Sequence, residues 1–368
     1  MPSRIVLFGA TGYTGRLTAA ALREAGAQPV LAGRNRASLD VLAEELGGNL
    51  ETRVADVADP PSVRELIEPG DVLISTVGPF ARWGAPAIEA ALEGGCAAYM
   101  DSTGEPPFIR RVFEDWGPRA VASGVPLLTA LGYDWVPGNL AGALALAEAG
   151  AAARKVEIGY FITGSGMGGM SGGTRASTAG VMLEPGFAFR GGRIATEPAG
   201  RHVTSFDVHG RDKQAISVGS SEHFTLPPLS PGLSDVEVYL GWFGAMSRPM
   251  QISSLGLSAI GRIGPLKRGL AELTQRLVKG STGGPSEAER ATGGSYVVAR
   301  ARDGEGGQLS EIRLSGVDGY TFTANFLAWA AIQARDGGIT GSGALGPAAA
   351  FGLEEFERGV AAAGIERA

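Results

Sequence analysis

The 368-residue chain carries 58 glycines and 21 prolines, is 44% hydrophobic, and has a formal net charge of −6. That apolar content is enough for real cores, and Gly plus Pro stays below the roughly 25–30% typical of low-complexity chains, which excludes disorder and collagen-like repeats. The acidic balance argues against a nucleic-acid binder, the single Cys96 excludes an internal disulfide, and His202, His209 and His223 lack metal-ligand spacing, so no metal site is expected.

In chain order, the first third alternates strand and helix signals. Arg4–Phe8 is a short β-rich run ending in glycines, and Thr14–Ala25 is an Ala/Leu-rich helix closed by Gly26. Pro29–Ala32, Thr52–Ala55, Val72–Val77, Ala97–Met100 and Pro126–Ala130 read as further strands. Between them, Arg36–Leu46, Pro61–Ile67, Ala85–Leu92 and Pro107–Ser123 read as helices. Six strands with intervening helices imply an α/β Rossmann domain built on a doubly wound parallel sheet. After Gly132 the rhythm changes. Val156–Ile162, Val203–Val208, Ala215–Val218, Val236–Phe243, Ser295–Arg302 and Gln308–Ser315 look like strands with few helices between them. The last two are joined by Asp303-Gly304-Glu305-Gly306-Gly307, a hairpin signature. A second, α+β domain with a mixed or antiparallel sheet is expected. Phe322–Arg335 and Pro347–Ala363 read as amphipathic helices. The expected domains are 1–131, 132–321 and the C-terminal helices 322–368.

Directly after the first strand comes Gly9-Ala10-Thr11-Gly12-Tyr13-Thr14-Gly15, opening the first helix. The first glycine permits the tight turn, the second lets backbone approach a pyrophosphate, and the third lets helix pack on strand. The helix N-terminus then favours the anion, and Thr11 and Thr14 add hydroxyls. The second strand ends Gly33-Arg34-Asn35, where an NAD-selective fold usually carries Asp or Glu. A guanidinium there can fork onto a 2′-phosphate, so NADP(H) is the expected cofactor. Asp56, followed by Val57, ends the third strand; it is placed to accept from an adenine amino group or to cap the next segment. Thr76-Val77-Gly78-Pro79-Phe80 ends the fourth strand, where backbone at Gly78-Pro79 would approach the nicotinamide ribose and Phe80 would wall the ring.

These motifs, together with Tyr99-Met100-Asp101-Ser102-Thr103-Gly104-Glu105 and Gly132-Tyr133-Asp134-Trp135-Val136-Pro137-Gly138, resemble the saccharopine dehydrogenase-like (saccharopine reductase) family. They are most similar to its actinobacterial branch often labelled trans-acting enoyl reductase. Ser171-Gly172-Gly173-Thr174, Gly284–Arg290 and Leu345–Gly352 extend the likeness over most of the chain. The resemblance implies C-terminal helices that return to the Rossmann domain, NADP(H), and reduction of a C=N or C=C bond.

The Tyr-x-x-x-Lys pair of short-chain dehydrogenases is absent: the residues four after each tyrosine are never lysine. A reductase therefore needs another proton donor. Tyr133 and Asp134, at the end of the sixth strand, are the candidates, with hinge packing and capping as the alternatives. Asp101 and Ser102, after the fifth strand, are candidate substrate and cofactor contacts. Gly172, Gly173 and Thr174, in a second glycine cluster, read as a lid or anion-binding helix start beside a substrate, or as a surface loop. Apolar Val236–Ile263 reads as buried strand and helix, with a lipid-facing surface or homodimer contact as the alternative. Cys96 is expected to be buried packing, and the histidines surface or hydrogen-bonded residues in strand-rich, polar surroundings. No signal peptide or transmembrane run is visible, so a cytoplasmic enzyme is expected, with a small or lipid-like substrate bound between the domains. An NADP(H)-binding sensor or scaffold without turnover is the alternative.

Overall fold

The computed structural model describes residues 3–164, 186–242, 247–249, 251 and 283–368. The chain divides into two units: Met1–Gly104 with Phe108–Val136 and Gly319–Gly364, and Glu105–Pro107 with Pro137–Asp318 and Ile365–Ala368.

The first unit begins as an alternation of β1 (Ile5–Phe8), α1 (Tyr13–Glu24), β2 (Val30–Gly33), α2 (Arg36–Glu45), β3 (Thr52–Val54), α3 (Pro60–Arg64) and β4 (Val72–Ser75). It continues through α4 (Phe80–Trp83), α5 (Ala85–Gly94), β5 (Ala98–Asp101), α6 (Pro106–Arg111), α7 (Gly117–Ser123) and β6 (Pro126–Leu128). β1, β2, β4 and β5 are buried at every residue, as strands covered on both faces must be. The helix ends follow local chemistry. The Asn35 side chain accepts from the Ser38 amide at the start of α2, and α5 and α7 end on left-handed glycines, Gly95 and Gly124. The single helix expected over 107–123 is two, joined by the π-helical turn Val112–Trp116. Pro118 lacks the N–H that a regular helix would donate one turn back, and the chain widens there. Cys96 is buried, and burial pushes its thiol up to about 12.

The second unit opens with α8 (Val136–Ala149), which the sequence reading did not anticipate. Its residues 136–146 are buried on all sides, so no amphipathic period marks it, and Pro137, Gly138 and Gly142 mimic a loop. The glycines serve close packing: a Cβ at Gly138 would fall 2.2 Å from the Tyr160 hydroxyl, and one at Gly142 2.6 Å from Leu226. Then follow β7 (Lys155–Gly164), β8 (Gly186–Arg190), β9 (Arg193–Glu197), β10 (Val203–Val208), β11 (Arg211–Ser217), α9 (Glu222–Thr225), β12 (Asp235–Leu240), α10 (Glu287–Ala291), β13 (Gly293–Arg302) and β14 (Gln308–Gly316). The sheet is mixed. β12 runs parallel to β7, the other pairings are antiparallel, and β13 and β14 form the expected hairpin.

The chain then returns to the first unit as α11 (Gly319–Arg335), β15 (Gly343–Ala344), α12 (Pro347–Phe351) and α13 (Leu353–Ala362), and ends as β16 (Ile365–Arg367) beside β14. α11 lies against α1, β1, β4 and β5. β15 pairs in parallel with β6, giving the strand order β15-β6-β5-β4-β1-β2-β3, so the expected six-stranded sheet has a seventh strand. The helix expected over 347–363 is broken at Gly352, whose φ of 80° no other residue adopts cheaply. No helix among the described residues is long and apolar enough to cross a membrane.

Candidate functional site

The carboxyl edge of the parallel sheet gathers six loops. The first follows β1. Gly9 has φ +91°, and a Cβ there would meet the Thr76 hydroxyl at 2.7 Å. A Cβ at Gly15 would lie 2.2 Å from the Gly9 carbonyl oxygen, so only glycine lets α1 start this close to the loop. Gly12 is the N-cap of α1 and offers no side-chain cap to the first-turn amides. That leaves an open, side-chain-free cradle facing a helix N-terminus, which fits a dinucleotide pyrophosphate. Thr76, at the end of β4, donates to the carbonyls of Phe8 (3.3 Å) and Gly9 (3.1 Å) and so fixes the cradle to the neighbouring strand.

After β2, Arg34 is exposed. Its neighbour Asn35 uses its side-chain oxygen to cap α2 (3.0 Å), while Arg36 is held by the Thr52 carbonyl and hydroxyl. After β3, the Asp56 carboxylate accepts from the Ala58 amide (3.0 Å) in a tight turn, and Asp59 rather than Asp56 is the N-cap of α3. Val57 packs on the core. After β4, Gly78 and Pro79 are exposed and joined by a cis peptide bond. Phe80 is turned away from the expected ring-facing position. It is buried against Phe108 at 5.6 Å between ring centroids, because it opens α4 and its side chain completes the sheet-side core.

After β5, Asp101 is fully buried rather than presented to a substrate. It accepts from the Thr103 amide (3.0 Å), the Ala130 amide (3.0 Å) and the Thr129 hydroxyl (2.8 Å). Burial outweighs those hydrogen bonds and raises its carboxyl to about 6. Its work is to hold the loop after β6 to the loop after β5. Ser102 beside it is half-buried.

The loop after β6 carries Tyr133 and Asp134. Tyr133 is buried, and its amide donates to the Thr323 hydroxyl (2.9 Å) on α11. Gly319 at the start of α11 leaves room for the Tyr133 ring: a Cβ there would lie 3.0 Å from it. The Asp134 carboxyl abuts Gly104, where an added Cβ would lie 3.3 Å from Oδ2. Its Oδ1 is shut off from water without a hydrogen-bond partner, and burial alone raises the group to about 7. A carboxyl of this kind carries a proton near neutrality, which suits a general acid. α11 also touches the glycine loop, since the Tyr320 ring meets the Tyr13 ring edge-on at 5.1 Å. No spacing in the sequence connects Thr323 or Tyr320 with residues nearly two hundred or more positions earlier, and the sequence reading missed both.

The three histidines differ from the expected polar strand setting in one case. His223 is fully buried on helix α9 with Nδ1 3.0 Å from the Ser220 hydroxyl, and burial lowers it to about 4. Gly172, Gly173 and Thr174 lie outside the described residues, as does most of 236–263 beyond β12. Among the described residues no group of three His, Cys, Asp or Glu side chains could hold a metal.

Residues 9–104 match an NAD(P)H-binding family model. A candidate trans-acting enoyl reductase of Mycobacterium tuberculosis is 28% identical over 98% of this chain and 96% of its own length. The trans-acting enoyl reductase of Mycobacterium leprae is 38% identical over 37% of this chain and 34% of its own. Among solved structures, saccharopine dehydrogenase (L-Glu forming) of Saccharomyces cerevisiae superposes with a TM-score of 0.59 at 14% identity, covering 97% of this chain and 96% of that one. Homospermidine synthase of Legionella pneumophila, solved with NAD, gives 0.62 at 10% identity, covering 100% and 92%. The chain has the saccharopine dehydrogenase-like fold with an NAD(P)H-binding domain. Its full-length relatives carry the name of candidate trans-acting enoyl reductases. The glycine cradle lies within the matched residues, at the same carboxyl edge of the sheet as the loops after β4, β5 and β6.

Proposed function

We propose that this saccharopine dehydrogenase-like oxidoreductase is an NADPH-dependent reductase that transfers hydride to a C=N or C=C bond of a small or lipid- or polyketide-like substrate. The observation that carries the cofactor preference is Arg34, exposed at the end of β2 where NAD-selective folds use a carboxylate. Amides of the Gly9–Gly15 loop bind the pyrophosphate, aided by Thr11, Tyr13 and Thr14. Arg34 and Asn35 receive the 2′-phosphate, Asp56 and Val57 border the adenine, and Thr76, Gly78, Pro79 and Ser102 border the nicotinamide ribose. The bound nicotinamide supplies the hydride.

Asp134 supplies the proton. The hydride lands on one atom of the double bond, the electron pair moves to the other, and the protonated carboxyl gives its proton there. Asp134 is left ionised and regains a proton from water. The enoyl-reductase names of the homologues favour a C=C acceptor.

The test is hydride transfer from [4-²H]NADPH to a panel of 2-enoyl thioesters and imines, followed by mass spectrometry. Deuterium in a product supports the reductase. Tight NADPH binding without transfer to any acceptor would instead support a sensor or scaffold.

A further inference from the structure

We infer that Thr323 is a positioning residue for the Asp134 carboxyl, acting from α11 through the backbone of Gly132 and Tyr133. The inference rests on the proposed role of Asp134. The Thr323 hydroxyl has one proton and two lone pairs, and the structure uses both kinds. It donates to the Gly319 carbonyl at 2.7 Å, one turn back on its own helix, and accepts from the Tyr133 amide at 2.9 Å. The same hydroxyl sets the limit on Gly132, where an added Cβ would fall 3.2 Å from it and 3.3 Å from the Thr323 methyl. Gly319 in turn leaves room for the Tyr133 ring, which an added Cβ would approach to 3.0 Å. Two residues ahead of Asp134 are thus seated on one turn of α11.

The other side of the loop is held independently. Asp101 takes the Ala130 amide and the Thr129 hydroxyl, and the Leu131 amide donates to the Asp101 carbonyl at 2.7 Å. These two restraints hold residues 129–133, immediately ahead of Asp134, from both sides. Its carboxyl stays beside Gly104 with Oδ1 enclosed. Burial is the one cause that moves this carboxyl, and no charged group among the described residues acts on it. Its proton affinity therefore reports directly on how well the loop is seated.

Thr323→Val keeps the shape and removes both hydrogen bonds, whereas Thr323→Ser keeps both. The experiment follows the protonated-carboxyl infrared band of Asp134 through a pH titration of the full chain, assigning it by its loss in Asp134→Asn. NADPH affinity is read in parallel by fluorescence. In Thr323→Val the midpoint moves down from about 7 by about one pH unit or more as water reaches the carboxyl. NADPH affinity stays unchanged, and Thr323→Ser restores the wild-type midpoint. Gly132→Ala, whose added Cβ would crowd Thr323 at 3.2 Å and displace the same loop, gives the same downward move if Thr323→Val folds poorly. An unmoved midpoint in a folded Thr323→Val or Gly132→Ala protein overturns the positioning role while leaving Asp134 as donor. Absence of any Asp134→Asn-sensitive band near neutrality overturns the donor reading and the inference with it.

Discussion

Replacing Asp134 by Asn should make the protein more stable at alkaline pH, by an amount that the burial of this carboxyl sets. An aspartate in the unfolded chain releases its proton near pH 3.9, and Asp134 in the folded chain holds it to about 7. Between those values the native state binds more protons than the unfolded state, so the unfolding free energy falls as pH rises. The loss is absent below the unfolded value and complete above the folded one. At about 1.4 kcal/mol per pH unit it amounts to ~1.5 kcal/mol at pH 5 and ~4 kcal/mol at pH 8. Asparagine has nearly the same shape and no charge to bury, so the variant lacks this pH-dependent cost. The assay is urea unfolding at pH 5, 6, 7 and 8 followed by tryptophan fluorescence. Trp83, Trp116, Trp135 and Trp329, four of the five tryptophans, belong to the same unit as Asp134 and report its unfolding. The gap between variant and wild type should widen by about 2–3 kcal/mol from pH 5 to pH 8. A constant gap would refute the burial argument. Turnover should move the opposite way, lost in Asp134→Asn and, in the wild type, declining above about pH 7 as the donor ionises.

Arg34→Asp should weaken NADPH binding by about 100-fold through loss of a charge-assisted pair and new repulsion, with little change for NADH; equal losses for both, measured by fluorescence titration, would contradict the 2′-phosphate role. Gly15→Ala should cost about 3 kcal/mol or more and abolish cofactor binding, because its Cβ meets the Gly9 oxygen at 2.2 Å. Gly33→Ala, whose Cβ finds nothing nearer than the Leu39 side chain at 3.7 Å, should stay within about 0.5 kcal/mol of wild type in urea unfolding. Asp101→Ala leaves the Thr103 and Ala130 amides and the Thr129 hydroxyl without their acceptor and should destabilise by about 2–4 kcal/mol in urea unfolding.

What could be read in the sequence was whatever local chemistry determines. The glycine loop announces itself because three small residues at fixed spacing between a strand and a helix have one common physical reason. The mixed second sheet is legible for a similar reason: its strands carry β-branched and aromatic residues and a glycine-rich hairpin. Residues whose role depends on distant partners were not legible. Phe80 reads as a ring wall from its place after β4, yet its destination is decided by Phe108, on another helix. Asp101 looks like a free strand-end carboxylate until Thr129 and Ala130 come to it from the next strand. β15 is a Gly-Ala dipeptide with no strand propensity, made a strand by backbone pairing to Pro126 and Leu127. Helix α8 is hidden by its own burial, since a helix apolar on every face has no period to detect.

The late position of α11 in the chain has a consequence for how this protein comes into being. The strands that α11 covers, β1, β4 and β5, leave the ribosome well over two hundred residues before it does. At synthesis rates of about 5–20 residues per second, that interval lasts tens of seconds. Throughout it, one face of the mostly apolar strands β1, β4 and β5 is uncovered, and the loop that carries Asp134 has nothing to sit on. The nascent chain must therefore be kept from aggregating until α11 arrives, and a stop codon shortly before Gly319 would leave the glycine loop and the strands around it with no lasting cover.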